Sequence, residues 1–457
     1  MVERLLKLIY KDRNFYKIVA AMMVPVALQN IITIGVNITD TMMLGALGET
    51  QLSASSLAGQ YINIFQIFCM GTSMGASVLA SRYWGMKEMK SLHITITIMI
   101  RIVMGLALLF SIPGILAPDW IMRMYTKEET IIREGVVYMG FAVPAFFFHG
   151  LSQASTIILR SIKKVKLPLY TSIGAFLLNI AGNYIFIFGK CGLPMLGIAG
   201  ASLSTLLVRI FECAMNFGYL VLVEKEVKFR IPHLFMKTGK LLPEYIRISV
   251  PVLISDGMMA CGNNVVMMIV GRLGAGFVAA NAIVSVVERL CTAFSGGVSH
   301  AGAVITGNTL GEGKKEQVLQ QGFAFLGIGL FLGIFAAAMI AIISNPVIML
   351  YHLSDETVSI TRQLLLASVF IVIFQSTSNI LTKGVLRGGG DTKILMIADS
   401  IFLWCVSVPF GYFTGLQLGL APFGIYMALK TDNFIKLFWS IHRLRSGKWI
   451  KGIKAAG

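Results

Sequence analysis

Charged side chains are scarce in this chain. Asp, Glu, Lys and Arg make up 13% of 457 residues, where a soluble protein of that length carries about 25%. Paired cysteines are missing too. Cys69, Cys191, Cys213, Cys261, Cys291 and Cys405 show no CxxC spacing and sit mostly within apolar runs. That leaves neither a disulfide framework nor a zinc site indicated. His149 and His300 stand alone, without HxxxH or HExxH spacing. The segment LRGGGDTK (Leu386–Lys393) has loop nitrogens suited to a phosphate, but it follows no strand and lacks Walker spacing. It reads as a cytoplasmic turn cap. With no nucleophile, base or metal grouping, an enzyme is not expected. With no ATPase motif, energy for any work must come from an ion gradient.

What fills the chain instead is apolar. Hydrophobic residues reach 56% and mean hydropathy is +0.76. The apolar runs are about 20–25 residues long and are broken by charged connectors, which predicts spanning α-helices. Barrel strands would alternate polar and apolar over about ten residues. Twelve spans are expected, centred near residues 32, 67, 104, 145, 178 and 209, then about 258, 291, 332, 370, 404 and 429. The fold class is therefore an all-α integral membrane protein.

The formal net charge is +17, and the basic residues gather in alternating connectors. These are Arg4 to Lys17, Arg82/Lys87/Lys90, Arg160/Lys163/Lys164/Lys166, Lys225 to Arg247, Lys314/Lys315, Lys383/Arg387/Lys393 and Arg443 to Lys454. Such alternation predicts orientation in a plasma membrane, with both termini cytoplasmic, rather than a nucleic-acid partner. The amphipathic lead-in MVERLLKLIYKDRNFYK lacks the form of a cleaved signal peptide, so the first span serves as insertion signal.

The chain also repeats itself. A shift of 226 residues carries Val24-Pro25-Val26 onto Val250-Pro251-Val252, Asn37 onto Asn263, Leu47-Gly48 onto Leu273-Gly274 and Gly71 onto Gly297. At nearly the same shift LRSIKKVK (Leu159–Lys166) meets LRGGGDTK. Six helices followed by six similar helices is a parallel duplication, which predicts a substrate cavity near the midplane, between the two halves. The expected division is an amino-terminal lobe at 1–223, a cytoplasmic linker at 224–242, a carboxy-terminal lobe at 243–441 and a basic tail at 442–457.

The first span, Val24 to Gly48, breaks the apolar rule. Asn30, Thr33, Asn37, Asp40 and Thr41 fall within roughly a 100° arc of one helix face. A carboxylate at membrane depth costs about 2.5–3.5 kcal/mol on insertion scales and marks a functional site by default. Its repeat mate holds Val266 for Asp40 and Asp256 for Asn30.

With these residues in view the chain resembles the multidrug and toxic compound extrusion (MATE) family. The matching pieces are VNITDTMMLGALG, SVLASRYWGMKE, NIAGNYIFIFGK with GIAGASLST, GNTLGEGKKE and GVLRGGGDTK. The resemblance implies two six-helix lobes in a V, alternating access and exchange of substrate for Na⁺ or H⁺. It also implies an amino-lobe cation site, possible for Na⁺, at Asp40, Asn179, Asn183 and Thr205. Asn183 stands where a second carboxylate is usual, so one H⁺ or Na⁺ would neutralise the site. The acidic positions of other members on the seventh and tenth spans are Met259 and Ser376 here.

Substrate-cavity candidates are Asn30, Thr33, Asn37, Gln60, Phe147, Asp256, Met259 and Asp399. Glu288/Arg289 and Arg209/Glu212 read as structural ion pairs or inner-leaflet charges, and Asp432 with Lys436 as a mutually neutralising pair. Pro25 and Pro251 are expected hinge or kink sites. The expected function is a cation-coupled antiporter exporting amphipathic, often cationic, compounds, as a monomer without any cofactor beyond the coupling ion. The alternative is a flippase for a lipid-linked oligosaccharide, which would need a cationic cavity.

Overall fold

The computed structural model describes residues 12–350 and 354–452, so the start of the basic lead-in and the end of the basic tail lie outside the described residues. Among the described residues there is no strand. The helical passes are α1 (Arg13–Gly45), α2 (Glu49–Gly85), α3 (Met89–Leu116), α4 (Glu129–Ala142 with Ala145–Ser161), α5 (Lys166–Phe188) and α6 (Ile198–Val223). The second set is α7 (Leu242–Arg272), α8 (Ala275–Cys291 with Ala293–Gly311), α9 (Lys315–Leu350), α10 (Asp355–Leu386), α11 (Thr392–Gln417) and α12 (Pro422–Leu429 with Thr431–Arg445). Among the described residues nine of these are single helices long and apolar enough to cross a membrane. α4 and α8 qualify as bent pairs, with bends of 52° and 50°. α12 carries Lys430, Asp432 and Lys436 at its break.

The chain packs as two compact units. One holds Leu28–Trp84 and Glu88–Leu253. The other holds the chain from Ile254 onward, with Gly85–Lys87 and α1 up to Ala27. This differs from a cut at the linker. α1 changes allegiance after Ala27 and α7 after Leu253, positions 226 residues apart, as the repeat is. Both helices run unbroken through Pro25 and Pro251.

The cause lies in two glycines that are repeat mates. In the amino unit a Cβ on Gly71 would lie 3.0 Å from Leu253 Cα, so only glycine lets α2 approach α7 this closely. In the carboxy unit a Cβ on Gly297 would lie 2.5 Å from the Met23 carbonyl oxygen of α1. Membrane helices associate largely by such close backbone packing. Tyr245 fastens the first contact, donating to the Thr72 carbonyl at 3.0 Å.

The linker after α6 is tied to its own unit. Glu224, fully buried, pairs with Lys164 and accepts from the backbone N–H of Glu226, Val227 and Lys228. His93 Nε2 lies 2.6 Å from the Val227 carbonyl, and Arg101 donates to the carbonyls of Leu234 and Met236. The carboxy-terminal segment is tied as well. Arg443 forks onto Asp391 at 2.7 and 3.1 Å, and buried Trp449 packs on Gly389.

Candidate functional site

The polar arc of α1 faces inward within the amino unit. Gln29, Asn30, Thr33, Asn37, Asp40 and Thr41 line one wall of a cavity of about 840 Å³. α2 supplies Gln60, Asn63 and Gln66; α4 supplies His149, Ser152, Gln153, Thr156 and Arg160; α6 supplies Thr205, Arg209, Glu212 and Asn216. Tyr138 and Ser172 join them, and the apolar part of the wall is only Leu44, Leu52, Gly59 and Ile62. Polar side chains at these depths satisfy the rule that lipid offers no hydrogen-bond partner.

Asp40 sits where α1 meets α5. Asn183 Nδ2 donates to Asp40 Oδ1 at 2.6 Å, and the same amide lies 3.5 Å from Asn179 Oδ1. The i, i+4 spacing of the two asparagines puts both on the buried face of α5, 2% and 1% exposed. Thr205 lines the same cavity, its hydroxyl donating to the Ala201 carbonyl at 3.0 Å. The structure thus brings Asp40, Asn179 and Asn183 together and sets Thr205 on the shared wall. Among the described residues no three His, Cys, Asp or Glu side chains form a metal cluster. Any cation here would meet one carboxylate with amide and hydroxyl oxygens, a donor set for a hard ion of low charge.

Asn30, Thr33, Asn37 and Gln60 also line this cavity, whereas Phe147 is not among its lining residues. Asp256, Met259 and Asp399 belong to the carboxy unit. There both carboxylates are paired with cations: Asp256 with Arg387 at 3.0 and 3.4 Å, Asp399 with Lys436 at 2.9 Å. Ser255 donates to Asp399 at 2.8 Å, and Asp432 lies 3.7 Å from Lys436. Glu288 is not paired with Arg289. It accepts from Ser368 at 2.6 Å and Tyr426 at 3.0 Å. Arg209 and Glu212 do pair, at 2.7 Å.

Sequence reasoning missed the α4 wall. Arg160 reads in the sequence as one charge of a basic connector. Yet Ser152, Gln153, Thr156 and Arg160 recur at helical spacing, a polar stripe that points the last of them inward. Asn216 was missed as well, and it is the hub joining Thr171, Ser152 and Thr156 at 3.1–3.2 Å.

A duplicated all-helical membrane protein, with a polar cavity and an intramembrane carboxylate on its wall inside one half, is built as a transporter and not as an enzyme. The MatE family model matches residues 25–185 and 251–413, one match in each half, starting at Pro25 and Pro251. The chain belongs to the MatE family. It is 27% identical over 443 residues to the multidrug resistance protein NorM of Burkholderia vietnamiensis, covering 93% of each. It is 22% identical over 414 residues to the uncharacterized transporter YisQ of Bacillus subtilis (strain 168), covering 90% of each. A solved outward-facing conformation of a multidrug resistance MATE family transporter superposes with a TM-score of 0.85 at 17% identity, covering 97% of this chain and 98% of that one. That last likeness is one of fold.

Proposed function

We propose that this protein is a multidrug exporter of the plasma membrane, acting as a monomer with both termini cytoplasmic. It exchanges amphipathic organic compounds, including cationic ones, for a cation by alternating access. The observation that carries the coupling reading is the Asn183–Asp40 hydrogen bond at the wall of a cavity large enough for a small organic molecule. The curated NorM relatives support the substrate class.

Asp40 is the group that exchanges its counter-charge. As an anion it holds the Asn183 amide by a charge-assisted hydrogen bond, worth about 1.5–3 kcal/mol against about 0.5–1.5 for a neutral one. Neutralising Asp40 weakens the α1–α5 contact and removes the charge that attracts a cationic substrate. H⁺ is the simpler exchange partner, because a single carboxylate can take it up alone, whereas Na⁺ would also need several neutral oxygens around Asp40. Inward passage of one charge against a compound of no net charge supplies about 2.3 kcal/mol per 100 mV, enough for roughly a fiftyfold gradient. Against a monovalent cationic compound the two charge movements cancel, and the concentration gradient of the coupling cation drives export.

The experiment is uptake of a cationic dye into proteoliposomes with pH and Na⁺ gradients imposed separately. Drive by the pH gradient alone, abolished in Asp40→Asn, is expected. Undiminished exchange in Asp40→Asn ends the coupling role, and drive by Na⁺ alone replaces H⁺ with Na⁺.

A further inference from the structure

Arg160 is a guanidinium on the cavity wall with no carboxylate paired to it among the described residues. One of its terminal nitrogens donates to Gln29 Oε1. Its Nε finds no acceptor, and neither does Nε2 of Gln29, a side chain only 4% exposed. Two buried donors side by side without acceptors are costly. Their common need is an oxygen that carries negative charge.

The carboxy unit shows how the same framework meets that need. Arg387 is the repeat mate of Arg160, aligned through LRSIKKVK and LRGGGDTK. It is 4% exposed and forks onto Asp256, which aligns with Asn30. Carried along the same alignment, Asp399 falls on Ser172. So the carboxylate that Arg387 forks onto and the one that Lys436 holds become neutral residues in the amino unit, Asn30 and Ser172, and both of those line the cavity. The arginine stays while the counter-ion of its mate is gone. Arg209 does not share this condition, because Glu212 pairs with it.

We propose that the amino-unit cavity binds a zwitterionic organic solute, whose carboxylate is gripped by Arg160 and Gln29 and whose ammonium group faces Asp40. The Arg387–Asp256 fork is the template for the first contact, since a planar guanidinium takes a carboxylate two bonds at a time. Gln29 and Asp40 lie eleven residues apart on α1, about 16 Å along the helix. An extended solute can therefore meet the cationic end and the anionic end at once. The ammonium group would compete with the coupling cation for Asp40, which is what exchange requires.

This inference rests on the export reading for the direction of transport and on the cavity alone for binding, so the test separates the two. The probes are rhodamine 110, which keeps a free carboxylate, and rhodamine 123, its methyl ester. Binding to the purified full-length protein is read by fluorescence polarisation without any gradient. The wild type is expected to favour rhodamine 110, and Arg160→Gln to lower the ratio of the two affinities about tenfold. Asn30→Asp leaves Arg160 in place but gives it the counter-ion of its mate. It is expected to lower the ratio to a similar extent, and it decides the matter if Arg160→Gln does not fold. A ratio unchanged in Asn30→Asp, or equal affinities in the wild type, overturns the proposal. Gradient-driven uptake of rhodamine 123 by the wild type tests export by itself. Its absence beside a carboxylate-dependent binding ratio would remove the exporter reading and leave the site.

Discussion

Lys436 on α12 holds Asp399 on α11 at 2.9 Å, with the two side chains 2% and 3% exposed. Asp432 stands 3.7 Å from the same ammonium group, so one lysine balances two acids inside the carboxy unit. Removing one partner of a buried pair leaves an uncompensated charge and costs about 3–5 kcal/mol. Lys436→Met is therefore expected to lower the thermal midpoint in detergent sharply. Adding Asp399→Leu and Asp432→Leu in the same chain should recover part of the loss, because the three charges of this cluster are then gone together.

The Asp40 amide contact gives a second expectation. Asn183→Leu deletes the donor and strands the carboxylate, a loss of about 1.5–3 kcal/mol. Counter-transport driven by an imposed pH gradient should fall roughly tenfold or more. Asn183→Asp sets two carboxylates at hydrogen-bond distance. It should confer sodium-dependent binding, visible as a Na⁺-specific rise in thermal midpoint.

The linker supplies a pH expectation. Burial works to raise the Glu224 carboxyl, but Lys164 and the backbone N–H groups outweigh it and hold it below its ordinary value of 4.5. Burial likewise works to lower the Lys164 ammonium, and Glu224 and Glu226 outweigh it, raising it above 10.5. A depressed acid stabilises above its ordinary value and loses that contribution as pH falls through the folded one. A raised base stabilises below its ordinary value and loses it as pH rises through the folded one. Docking of the linker should thus be firmest between those limits. Hydrogen exchange at Val227 and Lys228 reads it directly, and in Glu224→Gln their protection should fall even at neutral pH.

Trp449 is fully buried, its indole Nε1 donating to the Leu444 carbonyl at 3.1 Å while the backbone of Lys451 donates to Gly389 at 3.0 Å. Trp449→Ala should cost about 3–5 kcal/mol. It should also expose the turn from Gly388 to Asp391 to proteolysis, whereas Lys448→Ala, on an exposed side chain, should leave both readouts alone.

Much of this architecture was legible in the sequence, because a bilayer forces helix length and a duplication forces helix order. The α1 arc was legible for the same reason: Asn30, Thr33, Asn37 and Asp40 cannot face lipid, and they do line a cavity. Their interpretation was harder. Asp256 and Asp399 look like free intramembrane acids in the sequence. Their partners Arg387 and Lys436 lie more than thirty residues away, where periodicity gives no contact. Arg160 failed differently, since a basic residue at a helix end is assigned to the membrane surface by the very rule that orients the chain. The exchange of helix starts between the units was out of reach as well. It depends on which glycine faces which backbone, and a pattern of apolar residues does not encode that.

That exchange bears on how such a chain came to be. Gly71 needs the start of α7, and Gly297 needs the start of α1, so neither half closes its packing with its own six helices. A single ancestral copy with this glycine would have been in the same position. It could fill the groove only by receiving the arm of a twin while lending its own, which is an arm-swapped pair of identical chains. Fusion of the two copies would then have kept an existing handshake. Once the twins shared one polypeptide they were free to diverge, and one could keep its arginine while giving up the acid beside it.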